Sequence, residues 1–481
     1  MTSKSSILYQ NAEATVFLID IPTSIALAQE LSPQQQPDPS HSKHSNPTVQ
    51  NRKRHIRSSS PLKTPYPPSS EPRTDAARAK LLAQIPSTER LVHEAIEPVV
   101  VNALSVLHTQ YGQESNWCLK RCSLCKEANN EHHDNEHGHF SKMSWKRAGK
   151  RRRSDQKSKT QEHECLLQPS SEARILDTSS EISQPPLILS PNSNRFESGA
   201  VLCNTIVRNT STETAMVTVR CSCSTTDLHA DTVNGYPTPQ RQDHTFIVPP
   251  ISSFVIGDIP ISPPTKRLAH THPIPGLPLE QRFNLILLDP PWPNRSVRRS
   301  RHYKTHTYLD SKLLERKIRD ILKFHSFPTP DKSPTTVAAI WVTNSAKARE
   351  ITYNSLTRTG FSVFEEWVWV KTTVDGQPIS PVGGLWRKPY EVLVIGRKRH
   401  VSTPSDEADT VLRRVIAAVP DVHSRKPNLR ELFEMIILED QDSFGLQYSA
   451  LEVFARNLTA GWWACGNEVL KFNSKDWWIV E

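Results

Sequence analysis

The chain has 481 residues, with 59 lysines and arginines against 50 aspartates and glutamates for a formal net charge of +9, and 38 prolines against only 15 glycines. A length of this order allows two or three domains, and the positive balance suits a polyanionic partner, although charge held in tails need touch none. Eight scattered cysteines, no signal-peptide pattern and no apolar run near the ~20 residues a bilayer requires lead us to expect a reduced, soluble, intracellular protein with no membrane segment.

Residues 1–31 read as a short ordered segment, in which Thr15-Val16-Phe17-Leu18-Ile19 has strand character and Pro22 opens an Ala/Leu-rich, helix-like stretch. Residues 32–75 are rich in Pro, Ser, Gln and basic side chains, bury too little apolar surface to offset their ordering entropy, and are expected to be a disordered linker. Over 76–115, Leu81, Leu82, Ile85, Leu91, Ala95, Ile96, Val99, Val100, Leu104 and Leu107 recur at spacings of three, four and seven, which predicts two or three helices interrupted at Pro86 and Pro98.

Residues 116–195 carry the composition of a long insertion. Cys118, Cys122 and Cys125, followed by His132, His133, His137 and His139, have zinc-ligand chemistry, but the spacing is irregular and no second cysteine pair follows, so no metal site is expected. Lys146, Lys150, Arg151, Arg152 and Arg153, with Arg52-Lys53-Arg54 upstream, fit a nuclear-import signal or an auxiliary nucleic-acid contact, a solvated tail being the alternative. Residues 196–245 alternate through Val201 to Val207 and Met216 to Arg220, on either side of Asn209-Thr210-Ser211-Thr212, and predict a β-hairpin or small sheet. From 246 to 481 short apolar runs (Phe246 to Val248, Phe283 to Leu288, Val337 to Val342, Val392 to Ile395, Val453 to Ala455) alternate with helix-like segments, which predicts an α/β sandwich on a mostly parallel sheet.

One of these runs carries chemistry. The strand Phe283 to Leu288 delivers Asp289-Pro290-Pro291-Trp292 to its carboxyl end, where open α/β sheets bind their ligands. Two prolines remove two amide donors, leaving the Asp289 carboxylate and nearby carbonyls as a corner of acceptors that suits an exocyclic amine. Trp292 offers a flat face for a base to stack on, worth about 1–3 kcal/mol. Hydrogen bonds to both amine protons help localise the nitrogen lone pair toward a methyl electrophile, and transfer then depends on holding the reacting atoms in line rather than on a strong base. A proline-stopped turn at a strand end is the plainer reading of the tetrapeptide alone.

The sequence resembles the eukaryotic N(6)-adenine methyltransferase family of the Asp-Pro-Pro-Trp type. Beyond the tetrapeptide, Ser296 to Tyr303, Trp341 to Asn344, Glu366 to Lys371, Arg387 to Glu391, Leu451 to Leu458, Gly461-Trp462 and Gly466 to Phe472 look like its methyltransferase-like protein four branch, in register from about Ile251 to Glu481. The resemblance implies a Rossmann-like methyltransferase sandwich of permuted order, since no Gly-rich cofactor loop precedes the catalytic strand. It implies S-adenosyl-L-methionine as cofactor, held by Asp258, Ile259, Asp289, Lys426, Glu452, Phe454, Arg456, Asn467 and Glu468, and Asp289, Pro290, Pro291 and Trp292 as the catalytic site. Lys426 takes the methionine carboxylate in this comparison. Position 293 is Pro where the branch has an acidic residue, Asp331 to Thr336 lengthens a linker, and Pro378 to Leu385 differs beside the substrate entrance.

Arg295, Arg298, Arg299, Arg301 and Tyr303 follow the motif directly and suit phosphate neutralisation with base stacking; Asn344 and Lys388 complete the expected substrate side. Trp367 and Trp369 alternate on a strand and read as core. The expectation is methylation of the exocyclic N(6) amine of adenine in nucleic acid, RNA favoured over DNA, with a small nuclear RNA adenosine already 2′-O-methylated as the particular candidate. Rival readings are a DNA N(6)-adenine methyltransferase, a non-catalytic RNA-binding subunit and, last, a small-molecule methyltransferase, which would want an apolar closed pocket instead of an arginine-rich loop. Action as a monomer is expected, with the upstream helices and β segment replacing a partner subunit, and residence in the nucleus, the cytoplasm remaining open.

Overall fold

The structure is a computed structural model that describes residues 5–32, 54–67, 72, 74–112, 115–123, 185–223, 232–233, 236–237, 240–261, 272–292, 311–328, 335–385, 387–398, 410–438 and 448–480. In the N-terminal part the elements are β1 (Ile7–Gln10), β2 (Val16–Ile19), α1 (Ile21–Leu27), β3 (Arg54–Ser58), α2 (Asp75–Leu82), α3 (Ser87–Gln110) and β4 (Cys122–Ser123). There follow β5 (Leu187–Ile188), β6 (Ser193–Phe196), β7 (Ile206–Arg208), β8 (Ala215–Cys223), β9 (Thr232–Val233), β10 (Tyr236–Pro237), β11 (Gln240–Val248) and β12 (Ser253–Ile256). The C-terminal half holds β13 (Leu285–Leu288), α4 (Ser311–His325), β14 (Val337–Val342), α5 (Ala346–Arg358), β15 (Phe361–Lys371), β16 (Tyr390–Lys398), β17 (Leu412–Ala418), α6 (Arg430–Phe433), β18 (Ala450–Val453), β19 (Trp463–Gly466) and β20 (Trp478–Val480).

Twelve strands form one sheet in the order β1-β2-β17-β15-β16-β14-β13-β18-β19-β12-β7-β5. The strands from β14 through β13, β18 and β19 to β12 are mutually parallel, and β16 runs in reverse between β14 and β15. β13 and β14 are buried along their whole length, as strands covered on both faces require, and this is why they read as continuous apolar runs. The period of two divides β13 between two layers. Ile286 and Leu288 face the cluster containing Ile96, Val100 and Leu104 of α3, Leu314 and Ile318 of α4 and Ile351 of α5. Leu285 and Leu287 face Ile21 and Ile25 of α1 and Leu432 and Phe433 of α6. The result is the expected α/β sandwich. The strand beside β13 whose end carries Glu452 to Arg456, β18, comes late in the chain, as the permuted order requires.

Four expectations need correction. Residues 32–75 are not uniformly a disordered linker: Arg54–Ser58 forms β3, antiparallel to β20 and parallel to β4. A segment with one aliphatic residue gives no apolar signal, and main-chain pairing plus full burial of Ile56 order it. Of the hairpin or small sheet expected over 196–245, the hairpin between Val201 to Val207 and Met216 to Arg220 does not form, because β7 pairs with β12 and β5, whereas β8 joins β11 and β6 in a small sheet of three strands. Pro98 lies inside α3 rather than ending a helix. At the margins of the 116–195 insertion, Trp117 is fully buried and β4, β5 and β6 are paired; residues 124–184, including Cys125, His132, His133, His137, His139 and the basic run at 146–153, lie outside the described residues. Within residues 1–31, β2 lies parallel against β17 and extends the main sheet.

Candidate active site

β13 is flanked by β14 and β18, and its carboxyl end opens the motif. The Asp289 N–H donates to the Val453 carbonyl at 3.2 Å, which fixes the first motif residue against the end of β18. Past the two prolines, the Trp292 N–H returns to the Pro290 carbonyl at 2.8 Å, and its indole Nε1–H donates to the Trp341 carbonyl at 2.7 Å. Trp292 is only 7% exposed. The expectation of a free stacking face is therefore wrong for Trp292; the indole anchors the turn to the neighbouring strand, as buried tryptophan N–H groups do when they find a partner.

The Asp289 carboxylate sits in a row of alternating charges. Its Oδ1 lies 3.3 Å from Lys426 Nζ and its Oδ2 accepts from Arg456 Nη1 at 3.4 Å. Lys426 also donates to Glu391 Oε2 at 2.7 Å, and Lys371 donates to the other oxygen of Glu391 at 2.6 Å. On the far side Arg456 Nε donates to Glu468 Oε2 at 2.9 Å and Lys471 to Glu468 Oε1 at 2.6 Å. Burial alone would lower the Lys426 pKa, but Asp289 and Glu391 outweigh it and hold the ammonium above its ordinary value. Burial likewise pushes Glu391 up, and Lys426 and Lys371 override it, keeping the carboxylate well below its ordinary range. Glu468 is held low in the same way, by Lys471 and Arg456 against burial. Opposite charges at such spacing keep each other ionised.

Glu452 is the exception. Burial, then the neighbouring Asp289 carboxylate, push its pKa up to about 8, with Arg456 pulling the other way, so near neutrality this carboxyl holds its proton. It lines a cleft with Leu287, Asp289, Trp341, Ser424, Lys426, Phe454, Arg456 and Asn457. Ser424 and Phe454 both take left-handed backbone, φ +66° and +62°, a conformation that costs a non-glycine residue about 1–3 kcal/mol and tends to be kept at binding sites. The side-chain Nδ2 of Asn457 is buried there with no hydrogen-bond partner among the described residues.

Asp258 and Asn467 meet at the same edge of the sheet, because β12 and β19 run in parallel register with Ile256 opposite Gly466; Asn467 Nδ2 donates to Asp258 Oδ1 at 3.1 Å. Ile259 is buried in the core, which leaves only its backbone for a ligand. The structure thus brings together Asp289, Lys426, Glu452, Phe454, Arg456 and Glu468, and separately pairs Asp258 with Asn467. Of the expected substrate side, Arg295, Arg298, Arg299, Arg301 and Tyr303 lie outside the described residues. Asn344 Nδ2 donates to the Tyr390 carbonyl at 2.7 Å and ties the end of β14 to the start of β16. Lys388 is partly buried, and its charge helps burial to push the His93 imidazole down to about 4, with the His93 Nδ1 bonded to the Tyr390 hydroxyl at 2.7 Å. Among the described residues no cluster of His, Cys, Asp and Glu is placed to hold a metal, and no helix is long and apolar enough to cross a membrane.

Sequence reasoning did not single out Glu391, Lys371, Lys471 and Asn457 as site residues. All four lay inside stretches that carried the family resemblance, which was the available signal; nothing in the sequence tells that Lys426 and Glu391, 35 positions apart, meet.

Comparison with known proteins places this geometry. Residues 283–468 match the MT-A70 family model. The N6-methyladenosine RNA methyltransferase MTA1 of Cryphonectria parasitica is 41% identical over 201 residues, 41% of this chain and 54% of that protein. The N(6)-adenine-specific methyltransferase METTL4 of Homo sapiens is 34% identical over 244 residues, 49% of this chain and 45% of its own length. The DNA N6-methyl methyltransferase of Caenorhabditis elegans is 27% identical over 233 residues, 48% of this chain and 54% of its own. The chain spans about half the length of the curated relatives it matches. Residues 283–468, which hold the motif at the end of β13 and its row of paired charges, are thus similar to the MT-A70 family.

Proposed function

We propose that this chain is an S-adenosyl-L-methionine-dependent N(6)-adenine methyltransferase acting on nucleic acid, RNA in preference to DNA, and in particular on a 2′-O-methylated adenosine of small nuclear RNA. One observation carries the reading: at the carboxyl end of β13, Asp289 lies between the cations Lys426 and Arg456 in a cleft that Glu452 also lines. The cleft fits the cofactor chemically. It offers two cations for a carboxylate, Glu452 as a hydrogen-bonding partner for ribose hydroxyls, and at Asn457 a buried side-chain N–H donor with no partner among the described residues. When bound, S-adenosyl-L-methionine supplies an electrophilic methyl group. Asp289 accepts from the target amine and orients it; the two prolines keep competing N–H donors away; Trp292, clamped to the Trp341 carbonyl, fixes the turn so that this acceptor corner is formed in advance. Glu391 keeps Lys426 charged whether or not Asp289 is engaged.

The test is transfer of labelled methyl from S-adenosyl-L-methionine to single-adenine RNA and DNA oligonucleotides, with and without a 2′-O-methyl on the target adenosine, by the full chain and by Asp289→Ala. Label entering RNA, most strongly the 2′-O-methylated form, and lost in Asp289→Ala supports the proposal. Label in DNA alone supports the DNA reading, which the name of the nematode relative favours. Cofactor binding with no transfer to any oligonucleotide supports a non-catalytic RNA-binding subunit. We also propose that the chain acts as a monomer, testable by light scattering, and in the nucleus, on the strength of its two basic runs, testable by imaging a fusion with Lys150 to Arg153 replaced by alanine.

A further inference from the structure

Lys426 lies on a loop after β17, and the side chains that shape this loop come from far away in the chain. Asp421, fully buried, holds Arg425 Nη1 at 2.6 Å and accepts from both the backbone N–H and the hydroxyl of Ser59, at 2.8 and 3.1 Å. Arg121, just before β4, donates from Nη1 to the carbonyls of Ser59 and Pro420, at 3.2 and 2.9 Å, and from Nη2 to that of Val419, at 2.7 Å. Its guanidinium also lies 3.9 Å from Asp421 and is 3% exposed. Arg425, fully buried, donates to the Arg57 carbonyl at 2.9 Å and stacks between Phe472 and Trp477, 4.4 and 4.5 Å from the ring centres. The loop is therefore gripped on one side by residues 57–59 and 121 and on the other by the C-terminal aromatics, and Ser424 takes left-handed backbone between the grip and Lys426.

We infer that Arg121, through the carbonyls of Val419 and Pro420 and through Asp421, is a positioning residue for Lys426, so that the N-terminal part of the chain sets the amino-acid end of the cofactor site. The inference rests on the reading of Lys426 as the partner of the cofactor carboxylate. The matched family domain, 283–468, contains neither Arg121 nor Ser59 nor Trp477 and so lacks this grip. Removing Arg121 leaves three carbonyls without their donor and frees the loop to shift, while Lys426 keeps its own side chain and both carboxylate partners.

The experiment is calorimetric titration of the full chain with two ligands, S-adenosyl-L-homocysteine, which has the carboxylate, and 5′-methylthioadenosine, which lacks the whole amino-acid end. Lys426→Met tests the underlying reading: it should weaken the first ligand roughly tenfold or more, the range for losing a charged hydrogen bond, and leave the second unchanged. Arg121→Ala should weaken the first ligand by about tenfold, leave the second within about twofold, and add nothing when combined with Lys426→Met. Arg121→Lys, which keeps the charge but not the fork of donors, should give an intermediate loss on the first ligand alone, and it carries the test if the alanine variant does not fold. Equal weakening of both ligands, unchanged affinity for the first, or full additivity in the double variant overturns the inference while the Lys426 reading stands. If Lys426→Met itself shows no preference between the ligands, that reading fails and the inference goes with it.

Discussion

Glu452 gives the most demanding test of the site's electrostatics. On β18 it is in register with Leu287 of β13 and Ala464 of β19, and it lines one cleft with Asp289, Trp341 and Trp462. Burial and Asp289 raise its pKa from 4.5 to about 8. An unfolded chain loses this proton near 4.5, the folded one near 8; between those values the native state holds a proton the unfolded state has released. The associated stability is complete below about pH 4.5 and declines as pH rises toward 8. At about 1.36 kcal/mol per unit the full interval would amount to about 5 kcal/mol, and because the side chain keeps some solvent contact screening trims this to about 2–4 kcal/mol. Glu452→Gln, neutral and of the same shape, removes the dependence. We expect urea unfolding followed by circular dichroism to find parent and variant nearly equal at pH 5 and the variant more stable by about 2–4 kcal/mol at pH 8.5, other titrations cancelling in the difference. A difference of constant size across that range would refute the assignment of a protonated Glu452.

Glu366 behaves in the opposite sense: burial would raise its pKa, but Arg349, Tyr353 and Arg413 outweigh it and hold the carboxylate low, so its contribution is present above about 4.5 and is lost as pH falls. Glu366→Gln should cost about 2–3 kcal/mol at pH 7, less than a sealed pair because both arginines retain solvent, with a deficit that shrinks toward pH 3 in the same unfolding assay. Trp292→Phe keeps a smaller aromatic ring in place but leaves the Trp341 carbonyl without its donor, a loss of about 1–3 kcal/mol, and should lower kcat by more than it raises the cofactor KM. Gly376, at φ +77°, would bring a Cβ within 2.4 Å of the Trp117 ring, so Gly376→Ala should cost more than about 1 kcal/mol and expose Trp117, read as a red shift in tryptophan emission.

What the sequence made legible depended on how local the determining interaction is. β13 and β14 announce themselves because both faces are covered and every residue is apolar, and the motif follows from its place at a strand end. α3 shows its buried stripe, Ile96, Val100, Ala103, Leu104 and Leu107, at helical spacing. Partner choice was not legible: the alternation of β8 is real, yet its neighbour is β11 across 16 intervening positions rather than β7 close by, since a period of two states which face is inward and not which strand lies alongside. Trp292 failed for a related reason, because an aromatic ring suits stacking and core equally and only the Trp341 carbonyl decides. β3 was missed because its order comes from main-chain ladders and from Asp421, more than 350 positions later.

The placement of these long-range pairs bears on how the molecule is built. A chain restricted to the matched family domain would begin at 283, without β12, whose parallel pairing with β19 positions Asp258 beside Asn467, and without β2, which covers the outer edge of β17. It would also lack α3, whose His93 meets the Tyr390 hydroxyl one residue before Glu391, the carboxylate that holds Lys426. Each end of the charged row in the site is thus buttressed by a segment from outside the domain that supplies its chemistry: Asp258 and β12 beside Asn467 and Glu468, α3 beside Tyr390 and Glu391, and residues 57–59 with Arg121 behind Lys426. Contacts of this length close late in folding and cost loop entropy that local helices do not. The N-terminal half thus shapes the site around Asp289 as well as supplying α1 and α3 to the two layers of the sandwich.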